Sequence, residues 1–105
     1  MRDKGNLVNL QTMAKLTDAG IRALLESLDG WILHAGRLEK TYTFADFSRA
    51  VLFLNQAVNP IEELALYPAI RMNYNRVSVS IQTPEAGALT DNDAKLARAL
   101  DAIKN

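Results

Sequence analysis

Apolar residues recur along the chain at two alternating periods, near 3.6 and at 2, and the order of those periods predicts the fold. Ile21, Leu24, Leu25 and Leu28 fall at helical spacing behind Thr17, whose hydroxyl suits an N-cap, with Asp18 in the first turn. Asp29-Gly30 ends that helix. Trp31-Ile32-Leu33-His34 and Leu38 to Phe44 flank Ala35-Gly36, and Thr41, Tyr42 and Thr43 give the second run β-branched and aromatic character, so a β-hairpin is expected. From Ala45, the residues Phe47, Ala50, Val51, Leu54 and Val58 recur every three or four positions and predict a second helix with an apolar face on the sheet. An internal proline removes a helical hydrogen bond and costs about 3 kcal/mol, so a kink or restart is expected at Pro60. Asn59 would cap the restart, Pro60 would take its first position, and Glu62 would sit near the reciprocal capping position, with Pro68 closing the helix.

Ile70 to Tyr74 and Val77 to Ile81 alternate apolar with polar and read as two more strands, each burying one face. A last helix starts at Thr90, with Asp91 and Asp93 at the positive end of its dipole and Leu96, Leu100 and Ile103 on its buried side. The order helix, two strands, helix, two strands, helix implies an α+β fold: a four-stranded antiparallel sheet with three helices on one face. Residues 1–15 lack a clean period and read as an N-terminal extension, leaving 16–105 as the domain.

Composition narrows the function classes. A chain of 105 residues can bury roughly 65% of its unfolded surface and fold without staples. It has no cysteine, which excludes disulfides and thiolate metal sites. Lys plus Arg equals Asp plus Glu at 12 each, so no net field favours nucleic acid or anionic lipid. The start lacks the apolar run of a signal peptide, and no stretch of 18 apolar residues occurs, so neither secretion by that route nor membrane spanning is expected. A cytoplasmic location is the default.

The stretches YTFADFSRAVLFLNQ, YPAIRMNYNRVSVSIQT and GALTDNDAKLARALDAI resemble the pterin-4a-carbinolamine dehydratase family over about residues 16–104. The family's active-site pattern is an acidic residue, a pair of histidines and a proline, then an aromatic residue and a third histidine. On it, Glu62 takes the acidic place, Leu66 and Tyr67 the paired histidines, Pro68 the proline, Tyr74 the aromatic place and Pro84 the third histidine. Histidine suits acid-base removal of water because its pKa lies near neutral pH. Leu66 and Pro84 do not titrate, and Tyr67, with a reference pKa of about 10, makes a poor base. The replacements imply that the chain is not an enzyme.

Pro68, Tyr74, Gly87, Leu89, Thr90 and Asp93 match the family pattern and are explained by turns, packing and capping. The chain resembles the branch of Rubisco assembly factors of alpha-carboxysomes, which lack the catalytic histidines. That resemblance implies a homodimeric chaperone for Rubisco subunits, with no cofactor and with carboxysome association open. The alternative is a pterin-4a-carbinolamine dehydratase, or a related small-molecule enzyme, with Tyr67, Glu62 and Glu85 reassigned as acid-base groups. A third role, as a dimerisation cofactor in transcription, finds no support in the neutral composition.

His34 is the chain's one histidine and cannot make an ordinary metal site alone, so no metal is expected. Glu62 reads first as a capping carboxylate, and Glu85 with Asp93 as groups meeting solvent and the helix dipole. Leu66 and Tyr67 would either fill the vacated cleft or present an apolar and aromatic contact to a protein. Arg71 and Asn73, with Ser78, Ser80 and Gln82, should lie on the sheet face away from the helices, where Arg71, Asn73 and Arg76 could meet an acidic partner. The run Val77 to Thr83 has no acidic residue and reads as a weakly defended edge, so a dimer is expected through it.

Overall fold

The computed structural model describes residues 15–82 and 89–104. Three helices, α1 (Asp18–Ser27), α2 (Phe47–Leu64) and α3 (Asp91–Lys104), combine with β1 (Ile32–His34), β2 (Arg37–Thr43), β3 (Ala69–Asn73) and β4 (Arg76–Ile81). The strands form one antiparallel sheet in the order β1-β2-β4-β3, two hairpins joined through α2. This is the α+β arrangement that the alternation of periods predicts.

The sheet register puts its large apolar residues on one face. Leu38 lies opposite Ile81 and Tyr42 opposite Val77, and these four are buried together with Val79. Leu24 and Leu28 from α1, Phe53 and Ile61 from α2, and Leu96 and Leu100 from α3 close the core over that face. The inner surfaces of α2 and α3 carry buried alanines, Ala50, Ala57, Ala94 and Ala97, whose small side chains let two helix backbones approach closely. Tyr42, Phe44 and Phe53 stack in tilted contact, with ring centroids 4.8 Å apart for Tyr42 and Phe53 and 5.2 Å for Phe44 and Phe53.

Local chemistry fixes the element ends. The Thr17 hydroxyl accepts from the Gly20 amide at 3.0 Å and caps α1. Ala35 and Gly36 both have positive φ, 53° and 77°, the pattern of the I′ turn that matches strand twist. Lys15 bridges Thr90, and the Leu16 amide donates to the Leu89 carbonyl at 2.8 Å, tying the chain before α1 to the entry of α3. The remainder of the expected extension lies outside the described residues.

Several expectations are corrected. No restart occurs at Pro60: α2 is a single helix capped by Asp46, whose carboxylate accepts from the Arg49 amide at 2.8 Å. Burial of Ala57 and Ile61 on either side of Pro60 holds the helix through the missing hydrogen bond, so Asn59 and Glu62 are not capping residues. The buried stripe also runs through Ala50, Phe53, Ala57 and Ile61, leaving Phe47 and Val58 exposed. A helix apolar on more than one side admits two stripes, and the one that presents alanines to α3 packs closest. Finally, β4 is not an edge. It pairs with β2 on one side and β3 on the other, so a sheet-edge dimer through Val77 to Ile81 has no free backbone to use. Among the described residues the sheet's outer strands are β1 and β3.

Candidate functional site

Of the positions expected to carry chemistry, Glu62, Leu66, Tyr67 and Pro68 lie together at the end of α2, whereas Tyr74 stands beyond the far end of β3 and Asp93 in α3. Ala65, with φ of 50°, ends α2 in a left-handed turn, its amide donating to the Glu62 carbonyl and that of Leu66 to the Ile61 carbonyl, each at 3.2 Å. These two bonds form a Schellman motif and send the adjacent side chains of Leu66 and Tyr67 in opposite directions. Leu66 is 4% exposed and packs into the core, whereas Tyr67 is 62% exposed. Leu66 therefore fills space and offers no surface to a partner, which withdraws it as a contact residue. Pro68 is half-buried and leads into β3.

Tyr67 is not idle on the surface. Its hydroxyl donates to Glu62 Oε1 at 2.7 Å, joining the last turn of α2 to the loop before β3. The hydrogen bond to this carboxylate, and then its negative charge, raise the phenol pKa above its ordinary value. Tyr67 is thus a proton donor held against a carboxylate oxygen. Glu62, expected as a capping carboxylate, instead has a hydrogen-bonded phenol as its partner.

Tyr74 stands at the tip of the β3–β4 hairpin, 65% exposed and with φ of 55°. A positive φ is uncommon for a bulky side chain. The turn is held by Asn75, whose side-chain amide donates to the Phe44 carbonyl and whose own carbonyl accepts from the Phe44 amide, both at 2.8 Å. Asp93 is fully buried rather than in contact with solvent. Its Oδ2 accepts from the Thr90 amide at 2.6 Å and from the Thr90 hydroxyl at 3.2 Å, so the carboxylate serves the start of α3 from within. Pro84, Glu85 and Gly87 lie outside the described residues.

The open sheet face carries Arg71, Asn73, Ser78, Ser80 and Gln82, with Arg71 and Asn73 exposed. His34 is exposed, and its Nδ1 lies 3.4 Å from Glu39 Oε1. Among the described residues no group of three His, Asp or Glu is placed to hold a metal ion, and no helix is long and apolar enough to cross a membrane.

Sequence reasoning missed a polar cluster on the other face. Asp101 of α3 accepts from Trp31 Nε1 at 3.1 Å, Lys40 Nζ at 2.9 Å and the Tyr42 hydroxyl at 2.6 Å. Lys40 also donates to the Asp29 carbonyl at 2.8 Å and lies 4.9 Å from the Tyr42 ring centroid. Burial first, then the bond to Asp101 and its charge, push the Tyr42 pKa up. The signal was present in the strand: Lys40 alternates with Leu38 and Tyr42, which places a lysine on the core-facing side of β2.

Comparison with known proteins identifies this architecture. The family described as Pterin 4 alpha carbinolamine dehydratase matches residues 14–103. A protein of Thermomicrobium roseum is 41% identical over 88 residues, covering 84% of this chain and 95% of its own length. One of Sulfurisphaera tokodaii is 38% identical over 91 residues, covering 87% and 98%. Both carry the provisional name pterin-4-alpha-carbinolamine dehydratase. Among solved structures, a transcriptional coactivator/pterin dehydratase from Brucella melitensis superposes with a TM-score of 0.84 at 33% identity, over 88% of this chain and all (100%) of that one. A pterin dehydratase-like protein described as a RuBisCO assembly factor in the alpha-carboxysome shares the fold at a TM-score of 0.63 and 18% identity, over 72% of this chain and 90% of that one.

The relatives overturn the expectation that replacement by Leu66, Tyr67 and Pro84 means the chain is not an enzyme: they point to an enzyme, although their names are provisional. Acid-base capacity does not require imidazole, and the Glu62–Tyr67 pair supplies a proton donor and a proton acceptor in one contact. With a match that spans the described fold from Lys15 to Ile103, the chain belongs to the pterin-4a-carbinolamine dehydratase family.

Proposed function

We propose that the protein is a pterin-4a-carbinolamine dehydratase, or a related small-molecule dehydratase, with a rearranged acid-base site. The observation that carries this reading is the 2.7 Å bond from the Tyr67 hydroxyl to Glu62, on positions aligned with the family's active-site pattern. Dehydration of a carbinolamine breaks a C–O bond and forms C=N as the neighbouring nitrogen loses its proton. Tyr67, which like any phenol holds its proton at neutral pH, donates a proton to the departing hydroxyl, which leaves as water. Glu62 accepts the nitrogen proton and returns it to the phenolate across their shared hydrogen bond.

A phenol is a weaker acid than imidazolium, so turnover should fall short of a histidine site by about 10²-fold or more. The test follows dehydration of a pterin carbinolamine generated in situ, using absorbance of the dihydropterin product. Acceleration over buffer should be lost by about 10²-fold in Tyr67→Phe and in Glu62→Gln, and its alkaline limb should lie above the ordinary tyrosine value of about 10. A rate equal to that of buffer would overturn the proposal.

A second reading, a binding role in Rubisco assembly, draws support from two features. Tyr67 presents an exposed ring where the family has an imidazole, and the fold is like that of the alpha-carboxysome assembly factor. Co-expression of Rubisco large and small subunits with this protein would raise the yield of assembled holoenzyme, and Tyr67→Ala would cancel the rise. An unchanged yield rejects it.

A further inference from the structure

We propose that a cleft between the first half of α2 and the last turn of α3 binds a small amphipathic carboxylate, one anionic group on an apolar or aromatic body. The inference rests on neither reading above. With 18 residues α2 is about 27 Å long, and the cleft lies toward its start, whereas Glu62 and Tyr67 lie at its other end. Its volume is about 360 Å³, at the small end of ligand sites. Buried Phe53 and half-buried Phe44 form its floor, their ring centroids 5.2 Å apart. Phe44 is fixed there through its backbone: its amide donates to the Asn75 carbonyl and its carbonyl accepts from the Asn75 side-chain amide, both at 2.8 Å. The walls belong to two helices already packed on each other, so an occupant meets a site formed in advance.

Among the described residues two cations line the cleft, Arg49 from α2 and Lys104 from α3, and no carboxylate does. Both are exposed, and among the described residues neither side chain has a hydrogen bond or an ion pair. The acidic residue nearest in sequence to Arg49, Asp46, is committed to the start of α2, where its carboxylate accepts from the Arg49 amide at 2.8 Å. The Lys104 ammonium stands 5.0 Å from the Phe44 ring centroid, which holds its charge beside the floor. In a chain whose net charge is +0, a wall of one sign with uncommitted donors favours an anion, and the Arg49 fork matches the two oxygens of a carboxylate. Leu52, 53% exposed, and half-buried Ile103 border the same space, so an apolar body on the anion would take their surface from water. A bare inorganic anion would leave that surface wet. Two charges are too few for nucleic acid, whose binding sums over many phosphates.

The test titrates the full chain with naphthoate, read by backbone amide NMR shifts and by the thermal midpoint. Saturable shifts should centre on Phe44, Arg49, Leu52 and Lys104, and Tm should rise with ligand concentration, as binding to the folded chain requires. The double variant Arg49→Gln, Lys104→Gln should weaken binding about tenfold, and Leu52→Asn should weaken it several-fold. The variant Arg22→Gln, Lys95→Gln removes the same charge from exposed positions elsewhere on the helices and should bind as the parent does. Circular dichroism checks that each variant folds. Absence of saturable shifts, shifts centred on Glu62 and Tyr67 instead, an equal loss in the Arg22, Lys95 variant, equal binding of neutral naphthylmethanol, or tighter binding of inorganic phosphate would each overturn the proposal.

Discussion

Asp101 draws together residues from the α1–β1 turn, β2 and α3, and its surroundings decide what a single substitution does. Its side chain is 24% exposed and that of Lys40 19%, so the pair is shielded enough to matter but not sealed from water. Asp101→Asn keeps the volume, removes the charge and leaves Lys40 without its anion, an effect expected to cost about 2–4 kcal/mol in chemical denaturation. Asp101→Asn combined with Lys40→Met should recover part of the loss, because removing both partners is cheaper than stranding one. Residue types at such places were legible, but their directions were only partly so. The β2 alternation carried the inward lysine, whereas nothing in the pair Leu66-Tyr67 said which would enter the core, because the left-handed turn at Ala65 sets that choice.

At the scale of elements, α2 holds two residues in conflict with their backbone. Ala65 adopts the left-handed conformation where glycine is usual, and Ala65→Gly should raise stability by about 0.5–1 kcal/mol, a rise of a few degrees in Tm. Pro60 lies inside the helix and cannot donate its amide, so Pro60→Ala should add about 1–2 kcal/mol by restoring that bond, visible as a higher denaturant midpoint. Helix and strand existence was legible throughout from period, turns and caps. The fate of Pro60 was not, since local chemistry argues for a break and only the burial of Ala57 and Ile61 overrides it. Glu62 was misread for the same reason: its expected role depended on that break.

For the molecule as a whole, the sheet order was the hidden variable. Two hairpins joined by a helix can be laid side by side in more than one order, and the apolar alternation of Val77 to Ile81 fits an edge as well as the interior. The observed order moves any pairing of sheets between copies to β1 or β3. Global stability should also respond to alkali. Tyr42 holds its proton in the folded chain beyond the ordinary value of about 10 at which the unfolded chain titrates. Its contribution is therefore intact below pH 10 and drains away as pH rises above it. Thermal melts between pH 8 and 11.5 should show that decline, and Tyr42→Phe should flatten it.

The Asp101 cluster also has a temporal consequence. Its partners Trp31, Lys40 and Tyr42 lie 70, 61 and 59 residues earlier in the chain, so each bond closes a long loop. The hairpins and α2 can assemble from near neighbours first, and α3 clasps them afterwards. Asp101→Asn should then leave the refolding rate nearly unchanged and speed unfolding, so that the cluster acts as a latch on the lifetime of the native state.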